Sequence, residues 1–427
     1  MHKRTAENSF KVRKFCGIDH ITWCRLADFW RLGNRIDMKT AVYLHKAKQG
    51  AVRRGHPWIF PKAIAKTTGK LVTGELVDIF SPEGELLGRG VYNEHSLYRV
   101  RVLAQSSEDI DTKSLASIIA KRLKQAFTLR QSLNLPNEKT TAYRLFNSEA
   151  DGLSGLTIDR FNKFSVVASS AYWVEANKAI ISQEIQNLLP GEEIVWLAQA
   201  KPLKQDGWQQ EIEKQATSAT QVLEEGIIYQ IDFSQAQKTG LFLDQRENHQ
   251  RIAALAKGKR VLDLYSYTGG FALHAAKAGA AMVRAVDSSA QAISQAKENA
   301  QLNGLNQIEF IEADAREYLV KAGEYDLVVL DPPKLVPSQQ HLERAKNYYR
   351  FLHREVFKSM RSGSLLMTCN CSSALSAQEF SALVSSQAAA AGKQARILGI
   401  FGPASCHPTL AAFPEGNYLT AVLLAVV

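Results

Sequence analysis

The chain has 427 residues and a formal net charge of +10, and its hydrophobic and charged fractions of 45% and 22% are ordinary for a soluble globular protein of two or three domains. No apolar run is long enough to span a bilayer, and the charged N-terminus lacks the apolar core of a secretory signal. Five cysteines in a chain of this length favour reduced thiols in a cytoplasmic protein over a disulfide framework.

The positive charge is concentrated in the first quarter of the chain. Residues 1–103 contain 19 Lys and Arg against 9 Asp and Glu, whereas the two classes are equal in the remainder. A basic segment joined to a neutral body indicates a module that binds a polyanion. A solubilising surface is the alternative explanation.

The chain begins with an irregular segment, residues 1–37, which we treat as an N-terminal extension of uncertain order. Residues 38–108 then alternate short β-type runs, at 74–80, 86–92 and 97–103, with turns rich in Gly and Pro. Such spacing is typical of a small β-barrel or sandwich.

Residues 109–235 mix helical and strand patterns. Apolar residues recur at helical spacing over 112–133, and a second helix is predicted near 174–189. Strand-like runs lie between and after these helices, at 156–161, 164–169, 193–198 and 226–233. We therefore predict a central α+β domain.

Residues 236–427 repeat the order strand, turn, helix. Five short apolar strands are predicted, at 261–265, 282–286, 308–312, 327–330 and 364–368, with two more near 395–401 and 418–426. This order predicts an α/β, Rossmann-like domain with a doubly wound parallel sheet.

A glycine-rich turn, residues 266–271, follows the first strand of this domain and would let a ligand approach the backbone closely. Acids stand at four successive predicted strand ends: Asp263, Asp287, Asp314 and Asp331. The acid after the second strand can accept hydrogen bonds from ribose hydroxyls, and the acid after the third could meet an adenine amino group. The turn lacks the Gly-x-Gly-x-x-Gly pattern of dinucleotide-binding proteins.

Residues 38–427 resemble the bacterial 23S ribosomal RNA 5-methylcytosine methyltransferases, whose class I methyltransferase domain follows an N-terminal PUA domain. The matching stretches are residues 54–60 (RGHPWIF), 144–153 (RLFNSEADGL), 239–246 (TGLFLDQR) and 414–419 (PEGNYL). The chain departs from the family pattern at Cys406, where an acid is expected, and at Thr420, where Lys is expected.

The resemblance implies S-adenosyl-L-methionine as the cofactor, 23S ribosomal RNA as a partner, and a homodimer. It implies a cofactor site formed from the following residues: Gln245, Arg246, Asp263, Tyr265, Ser266, Thr268, Gly269, Phe271, Asp287, Ser288, Asn303, Asp314, Ala315 and Asp331. The basic residues expected to contact RNA are Arg53, Arg54, His56 and Lys334.

Two nearly adjacent cysteines, Cys369 and Cys371, follow the predicted fifth strand. Functional groups gather at the carboxyl ends of parallel strands, so both thiols are expected near the cofactor crevice. Carbon 5 of cytosine is a poor nucleophile, and a thiolate that adds to carbon 6 makes carbon 5 reactive. Asp331 would hydrogen-bond the ring at N3 as charge develops.

The resemblance favours Cys371 as the nucleophile, because the recurring Cys-Ser of the family matches Cys371 and Ser372; Cys369 is the alternative. Two buried structural thiols are the non-catalytic interpretation. No metal site is predicted, because the Cys-x-Cys pair lacks a second pair of ligands nearby.

The leading hypothesis is an RNA cytosine-5 methyltransferase. Three alternatives are a guanine or adenine methyltransferase on the same scaffold, a non-catalytic RNA-binding protein, and a small-molecule methyltransferase. The sequence Asp331-Pro332-Pro333 also occurs in enzymes that methylate exocyclic amines, but these usually have an aromatic residue where this chain has Lys334.

Overall fold

The computed structural model of the protein describes residues 40–212, 218–234, 241–335 and 342–427. The predicted N-terminal extension and the start of the 239–246 motif therefore lie outside the described residues. No helix within the described ranges is long and apolar enough to cross a membrane.

The N-terminal module is a six-stranded sheet with the strand order β2-β6-β5-β4-β1-β3. Its elements are β1 (Ala41–Leu44), α1 (Gln49–Arg53), β2 (Trp58–Ile59), β3 (Ile64–Thr68), β4 (Leu76–Phe80), β5 (Leu86–Tyr92) and β6 (Val100–Gln105). Buried Val42, Ile79 and Val100 belong to its small core. Gly90 allows the close pairing of β5 with β6, because a Cβ at this position would lie 2.4 Å from the carbonyl oxygen of Arg101.

The central domain has a four-stranded sheet with the order β10-β9-β8-β7, which confirms the predicted α+β character. Its elements are α2 (Leu115–Ser132), β7 (Ala142–Asn147), β8 (Leu156–Phe161), β9 (Phe164–Ser169), α3 (Tyr172–Ala176), α4 (Lys178–Leu188), β10 (Glu193–Ala198) and α5 (Ala200–Gln205). The helix predicted near 174–189 corresponds to α4, but a break at Asn177 separates its predicted first turn, which belongs to α3. There the Asn177 amide donates to the carbonyl of Trp173, whose indole N–H is bonded to Ser154.

A two-stranded hairpin, β11 (Ala219–Glu224) and β12 (Ile227–Asp232), packs into the core shared with the C-terminal sheet. The backbone of β12 is bonded to two asparagine side chains of a later helix. The Asn299 carbonyl accepts from the N–H of Gln230 at 3.0 Å, and Asn303 both accepts from and donates to the backbone of Ile228. These bonds hold the hairpin against the C-terminal domain.

The C-terminal domain is a seven-stranded sheet with the order β15-β14-β13-β16-β17-β19-β18. Its strands are β13 (Arg260–Leu264), β14 (Met282–Asp287), β15 (Ile308–Glu312), β16 (Leu327–Leu330), β17 (Leu365–Cys371), β18 (Ala395–Phe401) and β19 (Leu419–Val426). Its helices are α6 (Arg246–Ala256), α7 (Gly270–Lys277), α8 (Ala290–Leu302), α9 (Leu342–Ser359) and α10 (Ala377–Ala390). The first five strands pair in parallel, and β19 runs antiparallel to β17 and β18 on either side of it, so the predicted Rossmann-like sheet is confirmed.

The predicted end of the fifth strand is wrong. Strand β17 continues to Cys371, so Cys369 and Cys371 lie within it and not after it. The parallel ladder with β16 ends at Thr368, but the antiparallel ladder with β19 pairs Cys369 with Ala421 and Cys371 with Leu419. The long partner strand therefore keeps the chain extended through both cysteines.

A buried arginine joins the central domain to the loop that precedes β19. Arg130 of α2 is fully buried and forms two bonds to the carboxylate of Asp151, at 2.7 and 2.8 Å. The same guanidinium donates to the carbonyls of Arg144 and Cys406. One side chain thus satisfies acceptors from three parts of the chain.

We expect Arg130→Met to destabilise the protein by about 3–5 kcal/mol, because it leaves the Asp151 carboxylate buried without its cation. Denaturant unfolding would measure this loss. The control is Arg53→Met, which breaks an exposed ion pair with Glu85 and should leave the unfolding midpoint nearly unchanged. Equal effects of the two substitutions would contradict the assignment of Arg130 as a structural anchor.

Candidate cofactor and catalytic site

The turn after β13 has an unusual backbone. Tyr265 and Tyr267 have positive φ angles of 65° and 48°, and Gly269 follows with φ of 89°. Tyrosine rarely adopts this left-handed conformation, and such strain concentrates at binding and catalytic sites. The bond from the N–H of Ser266 to the carbonyl of Val286 helps to hold the turn against β14.

Asp287 fixes the same turn from the end of β14. Its carboxylate accepts the N–H of Tyr267 and the N–H of Ser289, each at 2.9 Å. A carboxylate has about four acceptor positions, so two remain for hydroxyl groups of a ligand. Ser288, also predicted to bind the cofactor, is exposed beside it.

Asp263 lies inside β13, one residue before the end of the strand, and is fully buried. One carboxylate oxygen accepts the N–H of Ala272 in the first turn of α7, at 3.0 Å. Burial raises the pKa of Asp263 to about 7. Its main observed role is to anchor the helix that follows the turn.

Polar atoms around the turn are left for a ligand. The hydroxyl of Ser266 and the second carboxylate oxygen of Asp263 are buried and have no hydrogen-bond partner among the described residues. Buried polar groups are normally satisfied, so these atoms indicate that a polar group binds here. Thr268, Gly269 and Phe271 complete the turn and the start of α7. The arrangement fits an adenosyl cofactor.

Three of the predicted cofactor residues, Arg246, Asn303 and Asp314, are bonded to other residues. Arg246 is buried and bonded to Glu225 at 3.0 Å, and Asn303 is bonded to the backbone of β12. The carboxylate of Asp314, which follows β15, is bonded to the side chain of Arg316, and Ala315 is buried next to it. The structure thus brings together the turn and Asp287, whereas Arg246 and Asn303 contact the hairpin region.

Gln245 is brought directly to Asp331. The Gln245 amide donates to the Asp331 carboxylate at 3.0 Å, and the Gln245 carbonyl accepts from Asn248 at 2.6 Å. Asp331 follows β16, and Asn248 lies in the first turn of α6. This chain of bonds orients the acid at the end of the strand.

The two cysteines share one face of β17, since residues two apart in a strand point the same way. Cys369 is fully buried, whereas Cys371 is half-buried at the end of the strand. Burial, with the nearby Asp331 carboxylate, raises the pKa of the Cys369 thiol well above its ordinary value. Cys369 therefore remains a neutral thiol near neutral pH.

Asn370, between the cysteines, is a site residue that the sequence analysis missed. Its side chain accepts from the hydroxyl of Tyr349 at 3.2 Å and donates to the carbonyls of Ser372 and Leu375, each at 3.1 Å. These bonds fix the turn after Cys371 from the opposite face of the sheet. Its place between two cysteines was the only signal in the sequence.

Cys406, where the family pattern has an acid, is buried beside Arg246 and His407. Its sulfur lies 4.0 Å from a guanidinium nitrogen of Arg246 and 3.3 Å from Nδ1 of His407. Burial raises the pKa of this thiol. Thr420 is buried in β19 opposite Asn370.

The residues predicted to contact RNA lie at two places. Arg53, Arg54 and His56 belong to α1 and the turn after it, where Arg53 is bonded to Glu85 and His56 lies 3.8 Å from Glu415. Lys334 is exposed shortly after Asp331, in the C-terminal domain.

Comparisons with known proteins identify the family. A PUA-like domain model matches residues 42–105, and an S-adenosylmethionine-dependent methyltransferase model matches residues 196–392. The chain is 35% identical over 398 residues to ribosomal RNA large subunit methyltransferase I of Aeromonas hydrophila, covering 91% of this chain and 99% of that protein. The Alteromonas mediterranea protein of the same name is 34% identical over 399 residues, with coverages of 91% and 99%. The chain belongs to the ribosomal RNA large subunit methyltransferase I family.

Solved structures show the same fold at low sequence identity. A SAM-dependent methyltransferase from Streptococcus mutans superposes with a TM-score of 0.73 at 19% identity, covering 90% of this chain and 99% of that one. The SMU.776 structure, complexed with SAH, has a TM-score of 0.75, also at 19% identity and with the same coverages. This family member is an S-adenosylmethionine-dependent methyltransferase with an N-terminal PUA-like domain.

We expect Asp287→Ala to weaken S-adenosylmethionine binding about tenfold or more, because each charge-assisted hydrogen bond contributes roughly 1.5–3 kcal/mol. Isothermal titration calorimetry would measure the affinity. Asp232→Ala is the matched control, since this half-buried acid ends β12 and its side chain is bonded only to Ser234 among the described contacts. An unchanged affinity for Asp287→Ala would remove this residue from the cofactor site.

Proposed function

We propose that this protein methylates carbon 5 of a cytosine in 23S ribosomal RNA. The observation that carries the proposal is the meeting of Asp331, Gln245 and the two β17 cysteines beside the cofactor turn. Relatives named for ribosomal RNA methylation match nearly the whole chain, which supports RNA as the substrate. The basic first quarter and its PUA-like domain support RNA over a small molecule.

The proposed reaction begins with the thiolate of Cys371, which forms a bond to carbon 6 of the cytosine and moves electron density to carbon 5. For this step Asp331, oriented by Gln245, carries a proton, so that it can donate a hydrogen bond to N3 of the ring and stabilise the negative charge that develops there. S-adenosylmethionine supplies the methyl group that carbon 5 takes. A base then removes the carbon 5 proton, the ring double bond reforms, and Cys371 leaves as a thiolate.

The difference in burial supports Cys371 over Cys369. A nucleophile must reach a base that has left its stack, and Cys371 lies at the half-buried end of β17. Cys369 is enclosed, and its raised pKa disfavours the thiolate. Asn370 holds the turn that begins at Ser372, so the end of the strand is fixed.

The nucleophile can be trapped with RNA that carries 5-fluorocytidine, because fluorine at carbon 5 cannot be removed as a proton. We expect a covalent adduct that survives denaturation and maps to Cys371. Cys371→Ala should bind cofactor and RNA but lose turnover, whereas Cys369→Ala, the matched control two residues away, should keep most activity.

Two results would count against this mechanism. Attachment of the RNA at Cys369 would reverse the assignment of the nucleophile. Methyl transfer without an adduct on either thiol would exclude carbon-5 chemistry and favour a guanine or adenine methyltransferase. Mass spectrometry of nucleosides from the methylated RNA would identify the base directly.

RNA affinity should depend on the exposed basic residues of the N-terminal module. We expect Arg54→Glu with Lys62→Glu to weaken RNA binding and to flatten its dependence on salt, because each lost phosphate contact lowers the logarithmic slope by roughly 0.7–0.9. Fluorescence anisotropy at several salt concentrations would measure both quantities.

The control places the same charge change in the C-terminal domain, as Lys257→Glu with Lys297→Glu, both exposed. Equal losses for the two pairs would show that the N-terminal module is not the main RNA contact. Full-length protein is required, because the buried ion pair of Arg101 with Asp206 fastens β6 to the central domain. Homodimerisation and a cytoplasmic location stay predictions.

A further inference from the structure

Three potential metal ligands meet in the core beside the cofactor turn. Glu224 ends β11, His249 lies in α6 and His274 lies in α7, and all three are buried. One carboxylate oxygen of Glu224 lies 2.7 Å from Nδ1 of His249 and 3.3 Å from Nε2 of His274. Within the described ranges, this is the one group of three His, Cys, Asp or Glu residues with ligand atoms so close together.

Two buried polar atoms of this cluster lack a hydrogen bond. Nε2 of His274, although 3.3 Å from Glu224, and the hydroxyl of Tyr229 make no hydrogen bond of acceptable geometry among the described residues. Buried groups of this kind need an ion or water to satisfy them.

The geometry of the cluster suits a cation. The candidate ligand atoms of the three side chains all lie within 4.8 Å of one another. A carboxylate oxygen and imidazole nitrogens are donors that bind divalent metals in proteins.

We propose that Glu224, His249 and His274 bind a divalent transition metal ion, with zinc as the best match to two nitrogen ligands and one oxygen ligand. Zinc sites with two histidines and a glutamate keep a fourth position for water, with ligand distances of about 2.0–2.2 Å. We expect the buried hydroxyl of Tyr229, which lacks a hydrogen-bond partner among the described residues, to hydrogen-bond such a water. The amide nitrogen of Gln250 lies 3.0 Å from Nδ1 of His274. A flip of this amide would turn its oxygen toward Nδ1, to accept the proton that Nδ1 carries once Nε2 binds the metal.

The metal would brace the cofactor turn. It would join the hairpin to α6 and α7, and the His249 ring packs edge-on against Phe271 with ring centroids 4.5 Å apart. Gly270 leaves room for this ring, because a Cβ there would lie 2.5 Å from His249. The ion would thus hold the start of α7, where the turn ends, without touching the reacting base.

The test uses full-length protein prepared without a metal-binding tag. After EDTA treatment and desalting, we expect one zinc ion to bind per chain by inductively coupled plasma mass spectrometry, and saturating zinc to raise the melting temperature by roughly 5 °C. His274→Gln and Glu224→Gln should lose both effects. The matched control is His353→Gln, which alters a buried histidine of α9 outside the cluster and should keep both effects.

A cobalt spectrum of the wild-type protein tests the site even if the variants fold poorly. We expect visible absorption bands of a four-coordinate Co²⁺ site without the intense ultraviolet band of a thiolate ligand. A thiolate band, or full zinc binding by His274→Gln, would place the ion on cysteines and overturn the proposal. Absence of binding and of any melting shift would also overturn it and leave water as the group that fills the cluster.

Discussion

The strand order of the C-terminal sheet reverses between β13 and β16, and this reversal determines where each functional group lies. The chain leaves these two adjacent parallel strands in opposite directions along the sheet, which opens a crevice at their carboxyl ends. The strained turn after β13 and Asp331 after β16 therefore stand on either side of it. Asp287 on β14 adds the bond that holds the turn in its left-handed conformation.

The reversal of strand order alone does not complete the site, because the segment before α6 also contributes a side chain to it. Gln245 provides this link through its bond to Asp331, and Asp244 beside it accepts from the hydroxyl of Tyr418 at 2.8 Å. The loop before β19 is in turn tied to the central domain by Arg130. Contacts from separate parts of the chain, outside the methyltransferase sheet, thus position Asp331, the segment before α6 and the loop before β19.

The sequence predicted the bounds of those strands whose own residues mark where the strand begins and ends. The bounds of β8, β9, β10, β15, β16 and β18 agree with the sequence analysis, because each is a short run bounded by turn residues. The extension of β17 to Cys371 depends on pairing with β19, about 50 residues later, and no local pattern encodes it. The same holds for the cluster of Glu224, His249 and His274, which three separate elements bring together.

For the site, the sequence identified the residue types more reliably than their roles. Asp287 and Gln245 take part in bonds that organise the crevice, whereas Asn303, predicted beside them, holds the backbone of β12. The polar side chain of an asparagine at a helix end can serve a ligand or a neighbouring strand equally well. Only the position of the hairpin decides between these uses, and the hairpin is placed by long-range packing.

The two thiols show how one strand can place the same residue type in two different environments. Cys369 and Cys371 share a face, so composition and direction do not distinguish them. What differs is depth: the sulfur two residues nearer the centre of the sheet is enclosed beside Asp331, and ionising it would place two negative charges together in the core. Cys371, two residues closer to the carboxyl end of β17, is only half-buried. The same strand therefore encloses Cys369 and leaves Cys371 partly accessible, which is why Cys371 is the proposed nucleophile.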